Sequence, residues 1–477
     1  MTYVPRQPRP PDAVSLELTG EVMRRLTTLC TEAAIEHVES LEHRPSWDLD
    51  GALEVAALFR DGPPERGTPL ESLLPLLERA ASKSFTTSGP GYLAFIPGGG
   101  LYPSALADYL ALAYNRYVGV WNPAPALVQL ELQSIDWIRE LVGYPAGAQG
   151  LLTTGGSLSN FIAIATARRN RLPENFLDGT LYASVESHHC VAKAALLAGF
   201  PERNLRLLPV DARRRLRLDA LADAVAEDRR RGLRPFLVVA NAGTTNTGAI
   251  DPTPEIADFC AANDLWLHVD AAYGGFFRLV RESLLPGLER ADSLVLDPHK
   301  GLFLPYGTGC LLVRDPEALR RAHHSGADYL QDLQLPEGAV SFADISPELS
   351  RDFRGLRLWL PFQLFGVDAF RDNLREKLEL THWAYDELRA APGFECLDEP
   401  QLSVLPFRYH PRRGDVNEFN ERLLRRVNDK RRVFITSTRI DGAYVPRLAI
   451  LSFRTHGRHV QAAVEDILAS ARELESE

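Results

Sequence analysis

Leu294-Val295-Leu296-Asp297-Pro298-His299-Lys300 reads as a short apolar strand that closes on a carboxylate, a proline and a lysine. An apolar run this short, bounded by a turn signal, suits a strand buried on both faces of a sheet. Lysine is scarce in the chain: Lys83, Lys193, Lys377 and Lys430 are the others, and arginine supplies the rest of the positive charge. The distinction is chemical, because an arginine keeps its proton whereas a lysine can shed it and become a nucleophilic amine. Taken alone, the segment fits a surface lysine after a strand equally well.

Upstream lies a second apolar strand with a carboxylate at its end, Leu265-Trp266-Leu267-His268-Val269-Asp270-Ala271-Ala272-Tyr273-Gly274-Gly275. A carboxylate there can pair with a protonated pyridine nitrogen, and small neighbours let a flat ring approach the backbone. The plainer reading is an Asp capping a turn. An Asp strand followed by a Lys strand is the pairing that pyridoxal phosphate requires, with its aldehyde on the lysine and its ring nitrogen on the carboxylate. A third stretch, Leu151-Leu152-Thr153-Thr154-Gly155-Gly156-Ser157-Leu158-Ser159-Asn160, runs into helix-like sequence. Glycines and hydroxyls at a helix N-terminus form a phosphate cup, although Ser157 or Ser159 acting as an ordinary N-cap fits the same letters. No G-x-G-x-x-G follows a strand and no P-loop lysine is present, which argues against a dinucleotide or nucleotide enzyme.

From about Tyr102 to Pro361, short apolar strands such as Pro235-Phe236-Leu237-Val238-Val239-Ala240 alternate with helical patterns, the mark of an α/β domain with a mostly parallel sheet. Ligands bind such sheets outside the C-terminal ends of the strands, where Asp270 and Lys300 fall. Before this domain, Val22, Leu26, Leu29 and Ala33 keep helical spacing, and a second helix carries Leu70, Leu73, Leu74 and Leu77. After it, a long helix, two strands and a last helix predict a small α+β domain. The expected divisions are an N-terminal helical segment over 1–101, a large domain over 102–362 and a small domain over 363–477.

A net charge of −10 counts against a nucleic-acid partner, and the triplets Arg213-Arg214-Arg215 and Arg229-Arg230-Arg231 read as solvated faces. No stretch has the length and apolarity of a membrane span, and the N-terminus leads into proline rather than an apolar signal core. A cytoplasmic protein with no membrane partner is expected. The five cysteines are scattered and form no C-x-x-C, which predicts reduced thiols and no metal site.

In their order along the chain, several segments resemble the group II pyridoxal-phosphate-dependent decarboxylase family, its aromatic-L-amino-acid (DOPA) branch above all. They are the Pro97-to-Pro103 region, Asn122-Pro123-Ala124-Pro125-Ala126, Gly155-Gly156-Ser157, Ser187-His188-His189, Asn241-Ala242-Gly243-Thr244-Thr245, His268-Val269-Asp270-Ala271-Ala272, Asp297-Pro298-His299-Lys300 and Asp352-Phe353-Arg354-Gly355-Leu356-Arg357-Leu358-Trp359. The resemblance implies the fold type I transferase architecture, with the N-terminal helices packing on a partner subunit in a homodimer with shared active sites. It implies that Lys300 holds pyridoxal 5'-phosphate, that Asp270 meets the ring nitrogen, and that Ala272 and His188 lie on opposite ring faces. Gly156, Ser157 and His299 would contact the phosphate or its surroundings, with Thr244 and Asp251 near the ring.

Tyr329 would return a proton to the substrate's α-carbon. Relatives with phenylalanine in its place, or asparagine at His188, tend toward aldehyde-forming oxidative deamination, and this chain keeps both residues. Phe95, Ile96, Pro97 and Gly98 match a substrate-pocket wall that comes from the partner subunit. This wall is uncharged, which favours an aromatic or bulky apolar amino acid over glutamate or diaminobutyrate. Gly98 to Gly100 stand where the animal enzymes carry larger and hydroxyl-bearing residues, which counts against a catechol substrate; a purely structural turn is the other reading of these glycines.

Overall fold

A computed structural model of the chain describes residues 16–324, 336 and 338–477. The chain divides into two compact units, residues 1–86 and 87–477. In the first, helices α1 (Gly20–Ser40), α2 (Ala52–Ala57) and α3 (Leu70–Ser82) include both amphipathic segments expected from the sequence. Thr19 caps α1 by accepting the Val22 N–H at 3.3 Å. Arg25 of α1 pairs with Glu71 of α3 at 2.7 Å, and His37 of α1 with Glu78 of α3 at 3.1 Å. Among the described residues, neither α1 nor α3 buries a side chain completely, and Val22, Met23, Ile35, Leu73 and Leu77 stay exposed.

The second unit holds helices α4 (Tyr102–Tyr114), α5 (Pro125–Leu141), α6 (Gly156–Arg171), α7 (Cys190–Leu197), α8 (Leu218–Arg230), α9 (Thr253–Asn263), α10 (Pro298–Gly301), α11 (Pro316–His323), α12 (Gly355–Ala390), α13 (Val416–Asp429) and α14 (Gly457–Ser476). Its strands are β1 (Gln149–Thr153), β2 (Gly179–Ser184), β3 (Leu205–Leu208), β4 (Arg234–Asn241), β5 (Trp266–Asp270), β6 (Ser293–Leu296), β7 (Gly309–Val313), β8 (Phe394–Cys396), β9 (Val404–Tyr409), β10 (Thr436–Ile440) and β11 (Ala443–Ala449).

Among the described residues, β1 to β7 form one sheet in the order β1-β7-β6-β5-β4-β2-β3, and β8 to β11 form another in the order β10-β11-β9-β8. The first is parallel except for β7, which runs antiparallel to both neighbours; the second is antiparallel throughout. Every residue of β5 and β6 is buried, as expected of strands covered on both faces. One apolar core surrounds the larger sheet. A second lies between the smaller sheet and α13 and α14, through Phe407, Leu423, Val427, Val460 and Ile467.

Two boundaries differ from the sequence expectation. Residues 87–101 go with the larger unit, because the Leu93 N–H donates to the Phe434 carbonyl and the Leu93 carbonyl accepts from the Ala449 N–H, both at 2.9 Å. The position expected to divide the large and small domains, 362, lies inside α12, just ahead of a break at Gly366 (φ 69°, ψ 165°). None of the described helices is long and apolar enough to cross a membrane.

Candidate active site

Strands β5 and β6 are neighbours with Asp270 opposite Val295, so their C-terminal ends deliver Asp270 and the Asp297–Lys300 turn to one place. There a cavity of about 270 Å³ opens, walled by Asp270, Ala272, His188, Thr244, Lys300 and the first residues of α6. That volume is near the lower end of small-molecule sites.

Lys300 sits in α10, and its Nζ lies 2.8 Å from Asp297 Oδ2. Burial works to strip its proton, but Asp297, with Asp270 adding to it, outweighs burial and holds the amine above the ordinary lysine range. The other lysines are placed elsewhere. Lys83 pairs with Asp48 at 2.6 Å, Lys377 with Glu376 at 2.7 Å and Lys430 with Asp466 at 3.6 Å, while Lys193 is exposed on α7. Asp297 is buried, and its Oδ1 has no hydrogen-bond partner.

Asp270 ends β5. Its Oδ1 accepts the Ala272 N–H at 3.1 Å, and its Oδ2 accepts from Asn160 Nδ2 at 3.1 Å. The helix that supplies Asn160, α6, begins after Gly155 at φ 148° and has no side-chain cap. Neither serine caps it, so no side-chain oxygen competes with an anion for the first N–H groups. Gly156 leaves little room for a side chain: an added Cβ would lie 3.0 Å from Asp297 Oδ2 and 3.2 Å from the Ala272 Cβ. Burial pushes the His188 imidazole below the ordinary histidine range, with Asp270 opposing it. Its Nδ1 accepts the Cys190 N–H at 3.3 Å, which puts the proton of the neutral ring on Nε2. The His299 Nδ1–H donates to the Thr308 carbonyl at 2.7 Å, and burial holds this ring neutral as well.

Lys300, Asp270, Ala272, His188, Gly156, Ser157, His299 and Thr244 thus share one cavity. Asp251 does not line it. This buried carboxylate accepts the Leu216 N–H at 2.6 Å and the Asn241 N–H at 2.7 Å, and it braces the Asn241 side chain from behind. Phe95 to Gly98 also stand outside the cavity lining. Phe95 is exposed at φ 52°, and the Gly98 N–H donates to the Tyr306 hydroxyl at 3.3 Å. Gly99 is a structural requirement, since a Cβ there would come within 2.1 Å of the Phe303 carbonyl oxygen. Tyr329 lies outside the described residues. Sequence reasoning assigned no role to Asn160, His268, Asp297 or Tyr306. The signal for His268 was its place two residues before Asp270, on the same strand face.

The site fits pyridoxal phosphate on its own terms: an amine, a carboxylate across from it, an uncapped helix N-terminus and a glycine floor against which a flat ring can lie. Comparison with known proteins agrees. The family model for the pyridoxal-dependent decarboxylase conserved domain matches residues 54–410. An aromatic-L-amino-acid decarboxylase from Bacillus atrophaeus is 33% identical over 468 residues, covering 96% of this chain and 98% of the relative. Among solved structures, Oryza sativa TDC with PLP and tryptamine superposes with a TM-score of 0.91 at 25% identity, covering 97% of this chain and all of the other. Catharanthus roseus tryptophan decarboxylase in complex with L-tryptophan gives 0.89 at 27% identity, over 96% and 99% of the two chains.

Proposed function

Because this chain belongs to the pyridoxal-dependent decarboxylases, and so uses pyridoxal phosphate to release carbon dioxide from an amino acid, we propose that its substrate is an aromatic or bulky apolar L-amino acid, converted to the amine. The observation that carries this reading is how the site's charges are committed. Lys300 is paired with Asp297, and Asp270 is held by Asn160 and the Ala272 N–H. No arginine lines the cavity among the described residues, and residues 325–335 contain neither lysine nor arginine. A substrate with an anionic side chain would be left unpaired at considerable cost. The relatives named for aromatic amino acids and tryptophan support the same class.

When bound, the cofactor supplies the electron sink for the pair of electrons left by the departing carboxylate. Lys300 is the amine that would hold its aldehyde, and the first N–H groups of α6 would hold its phosphate. Asp270 would keep a proton on the ring nitrogen, as an adjacent anion favours the charged form. Neutral His188 and Ala272 would confine the ring between them. Tyr329 would deliver a proton to the α-carbon. We also read the chain as a homodimer whose Phe95–Pro97 segment completes the partner's pocket. The unburied helices α1 and α3, with their exposed apolar side chains, support this, as does Phe95, held exposed at positive φ.

The test is a substrate panel of L-tryptophan, L-tyrosine, L-phenylalanine, L-DOPA, L-glutamate and L-2,4-diaminobutyrate given to the purified holoenzyme, with carbon dioxide, ammonia and hydrogen peroxide measured together. Amine and carbon dioxide from the aromatic substrates alone is the expected result. Preferred turnover of glutamate or diaminobutyrate would overturn the substrate class, and stoichiometric peroxide with ammonia would indicate an aldehyde synthase.

A further inference from the structure

Strand alternation places Trp266, His268 and Asp270 on one face of β5, and the pairing of His268 with Ser293 sets a hydroxyl beside them. Four hydrogen bonds join these groups to α6. Trp266 Nε1 lies 2.8 Å from Ser293 Oγ, Ser293 Oγ 2.7 Å from His268 Nδ1, His268 Nε2 2.9 Å from Asn160 Oδ1, and Asn160 Nδ2 3.1 Å from Asp270 Oδ2. We propose that Trp266, Ser293, His268 and Asn160 form a one-way hydrogen-bond chain that aims the Asp270 carboxylate at the cofactor's ring nitrogen, making His268 and Asn160 positioning residues for the reaction. The proposal rests on the reading of Asp270 as the partner of that nitrogen.

The direction of every bond is forced from the two ends. An indole N–H only donates, so Ser293 Oγ accepts from it; a carboxylate only accepts, so Asn160 donates to Asp270. The second hydrogen of the Asn160 amide goes to the Gly156 carbonyl at 2.9 Å, so flipping the amide would set its oxygen against both a carbonyl and a carboxylate. Asn160 Oδ1 therefore receives the His268 Nε2–H. The remaining nitrogen, Nδ1, takes the Ser293 hydroxyl proton, which requires a neutral ring. Burial provides this by pushing the His268 imidazole well below the ordinary histidine range. Asn160, His268 and Ser293 are all fully buried, so no water competes for any link. A chain in which each donor and acceptor is spent has one arrangement, and it ends on a carboxylate that faces the cavity.

The experiment titrates the cofactor-free full-length protein with pyridoxal phosphate and with its 1-deaza analogue, in which a carbon replaces the ring nitrogen. The ratio of the two dissociation constants reports the Asp270 interaction alone. The wild-type protein is expected to prefer pyridoxal phosphate. His268→Leu, which keeps bulk but breaks the chain, should shrink that preference by about fivefold, the scale of one hydrogen bond's net worth. His268→Gln, whose amide can still donate to Asn160 and accept from Ser293, should restore it. If the wild-type protein shows no preference, the Asp270 reading itself fails, and the proposal with it. If the wild type discriminates and His268→Leu keeps the same ratio, even with both affinities lowered, the chain is structural only and the proposal is overturned. Should His268→Leu not fold, Ser293→Ala removes a single hydroxyl and takes its place, with a reduced ratio supporting the proposal and an unchanged one overturning it.

Discussion

Strands β5 and β6 carry charge at both ends, and the two ends use it in opposite ways. Before the strands begin, Arg171 pairs with Asp264, Asp292 accepts the Leu267 N–H at 2.8 Å, and Arg314 donates to the Glu289 and Ala291 carbonyls. These groups line a groove of about 380 Å³, larger than the 270 Å³ cavity at the other end. Each charge in the groove is answered by a neighbour or by backbone. Beyond the strands' C-terminal ends, Asp297 keeps an unmet oxygen, the helix N-terminus is uncapped and the histidines are held neutral. Neither volume nor charge density marks the reactive end; valences left unspent under burial do.

The most forceful way to break this contrast is at Lys300. Lys300→Ala should lower turnover on the order of 1,000-fold or more, as expected for a residue that bonds covalently to the reacting system. Borohydride reduction and peptide mapping of the unaltered enzyme should place the pyridoxyl group on Lys300, and finding it on Lys193 would undo the assignment of the reactive end. Next in size is Tyr329→Phe. General acid catalysis typically contributes 100- to 10,000-fold, so amine formation should fall by at least about tenfold, with product shifting toward aldehyde, ammonia and peroxide. Normal amine output without peroxide would remove Tyr329 from the chemistry.

A smaller effect tests α6, which runs from one end of the strands toward the other. On its flank the His323 ring meets the Thr166 hydroxyl at 3.0 Å, and burial, with Arg169 adding to it, pushes His323 down from 6.5 to about 4. Between those values the unfolded chain binds the extra proton, so stability is present above pH 6.5 and is lost as the pH falls toward 4. Urea midpoints at pH 7 and pH 5 should therefore differ less in His323→Gln than in the wild type, by ~1 kcal/mol in the derived free energies; equal pH sensitivity would mean His323 titrates normally. The smallest effect belongs to the balanced end. Arg171→Ala removes one partner of an exposed pair and should cost less than about 1 kcal/mol, with turnover unchanged. A marked loss of activity would show that the two ends are coupled and would blunt the contrast.

What could be read from the letters follows the same division. Asp270, Lys300 and the glycines before α6 stand in local patterns whose chemistry is carried by neighbours in sequence, so they were legible. The alternation of short apolar strands with helices likewise announced the larger sheet. Asn160 and His268 were not legible as partners, because their hydrogen bonds span 108 and 110 residues and depend on how α6 crosses the sheet. Asp251 was expected near the ring but does not line the cavity and accepts from Leu216 and Asn241 instead, a distinction of facing that motif position cannot supply. The segment over 87–101 looked like a continuation of the N-terminal helices, yet the backbone of Leu93 bonds to Phe434 and Ala449, and the N–H groups of Gly100 and Leu101 donate to Leu304 and Phe303.

The antiparallel strand β7 has a consequence for how the protein is made. β1 is the outermost strand on its side of the sheet and pairs with β7 alone, Gln149 with Val313 and Thr153 with Gly309. During synthesis at about 5–20 residues per second, β1 therefore waits roughly 8 to 30 s for its only partner to leave the ribosome. Until then Leu151 and Leu152, both fully buried in the finished fold, belong to an unpaired apolar edge, which makes the nascent chain prone to association with its neighbours. The turn that follows β1 is the start of α6, so the N-terminus of α6 gains its final support only after Lys300 has been synthesised.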